Sequence, residues 1–175
     1  MNNRSIPFFS IVMPTYNHSE YIGKALQSVI DQNFKNWEIL VIDNHSTDNT
    51  KQVLSKFSDP RIKHLKIHNN GIIAKSRNLG IKLAKGEWIA FLDSDDWWSN
   101  DKLENCYSNI DDEVDFIYHI LEVKDYKSKF FKRKNYKGRK LYNPILNDLL
   151  IGVISKGNAI GNSSVVLRKD IIIKV

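Results

Sequence analysis

The chain has 175 residues, 42% of them hydrophobic, and its 26 Lys and Arg against 20 Asp and Glu give a formal net charge of +6. That apolar content suits one globular domain with a sizeable core and excludes a disordered chain, while the basic balance favours anionic partners without distinguishing nucleotides, lipid phosphates and nucleic acid. The single Cys106 excludes an intrachain disulfide framework and a cysteine-built metal site, as suits a reducing compartment.

Phe8 to Met13 is a short apolar run ending at Pro14 and reads as a strand. Asn17, with Glu20 three residues on, reads as a capping box before a helix that places Tyr21, Ile22, Ala25, Leu26, Val29 and Ile30 on one face. Trp37 to Ile42 is again strand-like and ends at Asp43; Ser46 to Phe57 is helix-compatible and stops near Asp59-Pro60. Arg61 to Ile67 is a third strand. Gly71 opens a helical segment through Lys85, with Gly86 as its C-cap, and Trp88 to Leu92 is the fourth strand. The order β-α-β-α-β-α-β predicts an α/β fold whose parallel strands are covered by helices on both faces, with ligands beyond the carboxyl ends of the strands. Thr15-Tyr16-Asn17, Asp43-Asn44-His45-Ser46 and Asp93-Ser94-Asp95-Asp96 all fall at such ends.

Past Ser99 the pattern changes. A helix from about Lys102 to Ile110, a strand from Val114 to Leu121, a short helix from Asn143 to Ile151 and a strand from Ser163 to Leu167 are predicted. Lys124 to Lys140 is dense in Lys and Arg with interleaved aromatics, which reads first as a solvated hairpin and second as contact with an anionic acceptor or a membrane surface. Repeats and linkers are absent, so residues 1–175 read as one domain.

The stretch "EWIAFLDSDDWW" sets three carboxylates on the end of a buried strand, an arrangement that repels itself unless a cation sits there. If the chain stays extended, Asp93 and Asp95 point to one side and leave room for a divalent ion between them and a ligand. Mg²⁺ or Mn²⁺ takes hard oxygens, and Mg²⁺ is usually held by one or two carboxylates plus substrate phosphates. The plainer alternative is that these residues cap and turn the chain before the helix at Lys102. An EF-hand counted from Asp93 fails, because Trp97 and Trp98 take the fifth-position ligand and the sixth-position glycine. The DxDxT of haloacid-dehalogenase-like phosphatases also fails, because Trp97 stands at its threonine. P-loop and dinucleotide fingerprints are absent. His18, His64, His68 and His119 lack ligand spacing and read as surface or structural residues, Cys106 as a small helix residue, and Trp97 and Trp98 as core on one side with the outward ring free to stack on a sugar.

"SIVMPTYN", "WEILVIDNHSTDNT", "NNGIIAKSRNLGIKLAKGEWIAFLDSDD" and "SSVVLRKD", in this order and spacing, resemble the family 2 glycosyltransferases of the GT-A fold over about residues 8 to 172. The resemblance implies a Rossmann-like, mostly parallel sheet, a nucleotide-diphosphate sugar donor, a Mg²⁺ or Mn²⁺ ion, and inverting transfer to an acceptor hydroxyl. It implies that Pro14, Thr15, Tyr16 and Asn17 touch the nucleotide, with Tyr16 stacked on the base, and that Asp43 and Asn44 read base or ribose, with His45 where a glycine is common. Asn44 can accept from a uracil N–H and donate to its carbonyl, so uridine is expected. Arg77 matches an Arg-Asn pair and reaches base or phosphates, or else pairs with Asp43 or Asp93. Asp93 and Ser94 complete the nucleotide site, and Asp95 with Asp93 takes the metal. The family's base comes from an acidic motif, commonly Glu-Asp, that would lie beyond Val175; Asp148 and Asp170 do not match it, so the domain is read as truncated before that motif.

Two functional classes follow: the donor-binding part of a transferase for bacterial surface polysaccharide or glycolipid, or a nucleotide-sugar-binding fragment without turnover. The acceptor is expected to be a saccharide or lipid-linked saccharide, and no nucleic acid partner is expected. No run approaches the roughly 18 to 20 apolar residues of a membrane span, and MNNRSIP lacks a signal-peptide core. A cytoplasmic location is therefore expected, with the inner face of the membrane and peripheral contact through Lys124–Lys140 as the second option.

Overall fold

The structure, a computed structural model, describes residues 6–119 and 161–173. Its elements are β1 (Phe9–Thr15), α1 (Ile22–Ile30), β2 (Trp37–Asp43), α2 (Thr50–Leu54), β3 (Ile62–Lys66), α3 (Ile73–Leu83), β4 (Trp88–Phe91), α4 (Lys102–Tyr107), β5 (Phe116–Ile117), a 3₁₀ turn (Asn162–Ser164), β6 (Val166–Arg168) and α5 (Lys169–Ile173). Lys124–Lys140 and Asn143–Ile151 lie outside the described residues. The strands form one sheet in the order β3-β2-β1-β4-β6-β5. β3, β2, β1 and β4 are parallel, as the alternating pattern predicts, whereas β6 runs antiparallel to β4 and to β5.

Side chains alternate across a strand, and here both faces are apolar because both are covered. Phe9, Ile11, Met13, Trp37, Ile39, Val41, Trp88, Ala90 and Leu92 pack with Ile22, Ala25, Leu26 and Val29 of α1, Leu54 of α2 and Leu103 and Cys106 of α4. Val12, Leu40, Ile42 and Ile89 pack on the other face with Ala84, Leu79 and Ile81 of the α3 segment and Ile172 of α5. Each fully buried Leu or Ile contributes about 1.5–3 kcal/mol relative to exposure. α3 approaches β1 closely at Gly80, where an added Cβ would stand 2.4 Å from Val12 Cγ1.

Several local expectations are corrected by contacts distant in sequence. β1 continues through Pro14 to Thr15. The β1–β4 ladder ends at Val12 opposite Phe91, so the amide hydrogen that proline lacks is not needed there. No side chain caps α1, whose N-cap is Tyr21, so Asn17 and Glu20 form no capping box. α2 has only five residues, because Ser46 and Thr47 bond to other loops instead of starting a helix. Gly86 is no C-cap: α3 ends at Leu83 with Ala84 as its C-cap, and Gly86 lies against β1, where a Cβ would stand 2.6 Å from the Ser10 amide nitrogen. Residues 163–167 divide between the 3₁₀ turn and β6, and the strand after Val114 is confined to Phe116–Ile117 among the described residues.

A polar knot sits on the α3 face. Buried Glu38 accepts from Ser10 Oγ at 2.7 Å and the Lys85 amide at 2.7 Å through Oε1, and from Lys63 Nζ through Oε2. Burial alone would raise its pKa, but the bonds from Lys63, Ser10 and Lys85 outweigh it and hold Glu38 below the usual carboxylate value of 4.5. Glu38→Ala is expected to cost about 2–3 kcal/mol at pH 7, since it strands three donors. A group with a depressed folded pKa stabilises above its unfolded pKa and loses that stability as pH falls through the folded value. Urea denaturation should therefore show the gap between wild type and Glu38→Gln closing as pH drops below about 4.5; a gap independent of pH would contradict this.

Candidate functional site

Because β3, β2, β1 and β4 are parallel and Thr15 is in register with Asp43, the loops after β1, β2, β3 and β4 gather at one end of the sheet. The chain order of the strands reverses between β1 and β4, the kind of switch point where open α/β sheets bind ligands.

The loops after β1 and β2 are zipped together. Asn17 adopts φ 53°. Its amide donates to Ser46 Oγ at 2.9 Å, and its Oδ1 accepts from the Thr47 amide at 2.8 Å. Ser19 N–H donates to Asp48 Oδ2 at 2.9 Å. Asp43 is buried; its Oδ1 accepts from the Ser46 amide at 2.9 Å and Ser46 Oγ at 2.6 Å, and its Oδ2 lies 3.3 Å from His64 Nε2. Asp43 therefore shapes this loop, with only the His64 side of its carboxylate lightly engaged. Asn44 Oδ1 accepts from the Asn69 amide at 2.9 Å, tying the β2 loop to the β3 loop. His45 adopts φ 54°, the left-handed backbone that favours glycine, and its ring stacks on His68 with centroids 3.7 Å apart.

Tyr16 stands 52% exposed beside these loops, so its ring face is open for stacking. Thr15 Oγ1 is buried and has no hydrogen-bond partner. Arg77 projects from α3, and its Nη2 donates to Asp93 Oδ1 at 2.7 Å; of the two pairings open to it in sequence, the structure forms the one with Asp93. Its Nε is buried without a partner.

The acidic stretch is a turn and not an extended segment, which corrects the sequence expectation. The Asp96 amide donates to Asp93 O at 3.0 Å. The turn does not cap α4: that helix has no side-chain cap from Asp101, and its Leu103 amide donates instead to Gln32 Oε1 at 2.9 Å. Asp95 is exposed and makes no hydrogen bond or ion pair with the described residues. Desolvation pushes the pKa of Asp96 up, with the charges of Asp95 and Asp93 adding, against a bond from Ser163 that lowers it. Of the three carboxylates in the turn, Asp93 is paired with Arg77, and Asp95 has no ion-pair partner among the described residues. Among the described residues no group of three or more His, Cys, Asp or Glu could hold a metal by itself. Two carboxylates completed by a ligand's phosphates remain the fitting donor set for Mg²⁺ or Mn²⁺.

His18 is a structurally satisfied histidine, as the sequence reading allows: its Nδ1 lies 2.7 Å from Ser94 Oγ, across 76 residues of chain, which ties the loop after β1 to the acidic turn. Only its position directly after Tyr16-Asn17 hinted at this. Trp98 is core, 5% exposed, with Nε1 donating to Ser163 O at 2.8 Å. Lys24 Nζ lies 3.2 Å over the ring of the half-buried Trp97. Cys106 is buried on α4, with Lys102 Nζ 3.3 Å from its sulfur. Among the described residues no helix is long and apolar enough to cross a membrane.

The family model for Glycosyl transferase family 2 matches residues 10–168. The UDP-Glc:alpha-D-GlcNAc-diphosphoundecaprenol beta-1,3-glucosyltransferase WfgD of Escherichia coli is 43% identical over 115 residues, which cover 65% of this chain and 46% of WfgD. The putative teichuronic acid biosynthesis glycosyltransferase TuaG of Bacillus subtilis is 40% identical over 100 residues, 56% of this chain and 40% of TuaG. The crystal structure of S. aureus TarS 1-349 in complex with UDP-GlcNAc superposes with a TM-score of 0.74 at 27% identity, covering 95% of this chain and 46% of that one. The chain thus spans about half the length of the relatives it matches, and the fold is that of GT-A glycosyltransferases.

Proposed function

The chain belongs to glycosyl transferase family 2, and from that premise we propose that residues 1–175 form the donor-binding part of an inverting glycosyltransferase that uses a UDP-sugar. The observation that carries this reading is the end of β4: Asp93 is fixed by Arg77 while Asp95, two residues on, stands exposed beside it. A relative named for UDP-Glc and a structural neighbour holding UDP-GlcNAc support the choice of uridine. The name of WfgD, which includes a diphosphoundecaprenol-linked sugar, supports a lipid-linked saccharide acceptor in surface polysaccharide synthesis. We further propose that the protein works at the cytoplasmic face of the membrane, with Lys124–Lys140 as the peripheral contact.

Each residue then has a physical task. Tyr16 lays its exposed ring against the base. The Asn44 amide reads the pyrimidine edge, with Oδ1 shared with the Asn69 amide and Nδ2 facing the ligand. Pro14 and Thr15 carry the β1 backbone to the ribose side, and Asn17 holds the loop in shape. Arg77 orients Asp93 through its Nη2 bond and brings a guanidinium charge to the phosphate side. Ser94 is steadied by His18, and Asp93 and Asp95 would hold the divalent ion. A cation at this place supplies electrostatic stabilisation of the negative charge that develops on the departing diphosphate. The base that takes the acceptor proton is proposed to come from residues outside 1–175.

The uridine assignment is tested at Asn44. In competition binding of UDP, GDP and CDP, wild type is expected to favour UDP. Asn44→Asp exchanges an amide that both donates and accepts for an acceptor-only carboxylate, which changes the preference for UDP over CDP. An unchanged ranking would remove Asn44 from the base contact.

A further inference from the structure

Ser163 lies 70 residues beyond Asp93 in the chain, yet its side chain is 1% exposed against the acidic turn. Its Oγ accepts the Asp93 amide at 2.9 Å, and its hydroxyl donates to Asp96 Oδ2 at 2.6 Å. Its backbone carbonyl accepts from Trp98 Nε1 at 2.8 Å. A single buried hydroxyl thus uses both its donor and an acceptor position on the two ends of the turn that presents Asp95. The 3₁₀ turn Asn162–Ser164 supplies the rigidity: the Val165 amide closes onto Asn162 O at 2.9 Å, and Val165 O accepts the Phe91 amide at 3.1 Å, one residue before the loop leaves β4. The antiparallel pairing of β6 with β4 delivers Ser163 to that place.

We propose that Ser163 is a positioning residue for the binding of a metal-complexed nucleoside diphosphate: it clamps the Asp93–Asp96 turn so that the carboxylates of Asp93 and Asp95 converge on one cation. The inference rests on the donor-site reading given above. Ser163 touches neither nucleotide nor ion; it fixes the backbone from which Asp93 departs and holds the Asp96 carboxylate to one side. Partners of this kind, one bond removed from the ligands, typically change metal affinity about 10- to 100-fold when lost.

The test is calorimetric titration of UDP into the chain in Mn²⁺ and, separately, in EDTA, for wild type, Ser163→Ala and Ser163→Thr. Ser163→Ala is expected to weaken UDP about 10-fold in Mn²⁺ and to leave the EDTA affinity unchanged, and Ser163→Thr, which keeps the hydroxyl, restores binding. Should the alanine variant not fold, Ser163→Cys preserves the bulk with a weak donor and acceptor, and the same loss is expected of it. Wild-type affinity in Mn²⁺ after removal of the hydroxyl would overturn the inference, as would an equal loss in Mn²⁺ and EDTA, which marks a structural role alone. A wild type that binds UDP equally in Mn²⁺ and EDTA would overturn the donor-site reading itself, and the inference with it.

Discussion

Asp95→Asn is expected to lower the affinity for UDP in saturating Mn²⁺ by about 100-fold, or about 2.7 kcal/mol, and to leave binding in EDTA unchanged. The magnitude is set above the 10-fold expected for Ser163→Ala because a direct ligand contributes more than a residue that orients one. Asparagine preserves size and keeps one oxygen, but it removes the charge on which attraction for a hard cation depends. Asp95 is exposed and bonds to no described residue, so the substitution leaves the fold intact. Asp93 is a poorer choice for this test, because Asp93→Asn also strips Arg77 of its partner and leaves a half-buried guanidinium unpaired. Titration calorimetry on both proteins gives the answer. Equal affinities in Mn²⁺ would remove Asp95 from the metal site.

Much of this arrangement is legible in the sequence, and the legible part is the part governed by local pattern. Apolar runs such as Trp37–Asp43 and Trp88–Phe91 read as strands because both faces of the sheet are covered, and the polar clusters at their ends mark the ligand edge. Asp93, Asp95 and Arg77 are readable in the same way, since each sits at a fixed offset from a strand or helix. What the sequence conceals is the use to which each polar group is put. Asn17 has the neighbours of a capping box, yet its oxygen is taken by Thr47, 30 residues away. Gly86 has the setting of a C-cap, yet it is small because β1 passes against it. Asp43 is expected to read the ligand, and its buried carboxylate also accepts from the Ser46 amide, a bond that shapes the loop. His18 and Ser163 each complete the acidic turn across some 70 residues or more of chain, a separation that no periodicity encodes. In each case a tertiary contact decides between options that local propensity leaves equal.

Sugar transfer by residues 1–175 alone is expected to be about 10² to 10⁴-fold slower than by a chain extended through the next acidic motif, the range contributed by a positioned acid–base group. In the proposed reading the loops after β1, β2 and β4 contact the nucleotide and its diphosphate, and the group that deprotonates the acceptor hydroxyl comes from elsewhere. Slow hydrolysis of the donor is expected to persist, because stabilisation of the departing diphosphate does not depend on a base aimed at an acceptor. Acceptor binding through basic residues would not by itself signal transfer. The comparison uses one donor, one acceptor and both chain lengths. Equal turnover would place the base within residues 1–175 and refute this assignment.

The central claim is that the β4 end binds a nucleoside diphosphate through a divalent ion, and titration of UDP into the unaltered chain with Mn²⁺ and with EDTA tests it most directly. The account predicts saturable binding that is markedly tighter in Mn²⁺, at a stoichiometry of one per chain. Binding of the same strength in both buffers, or no binding in either, would contradict it.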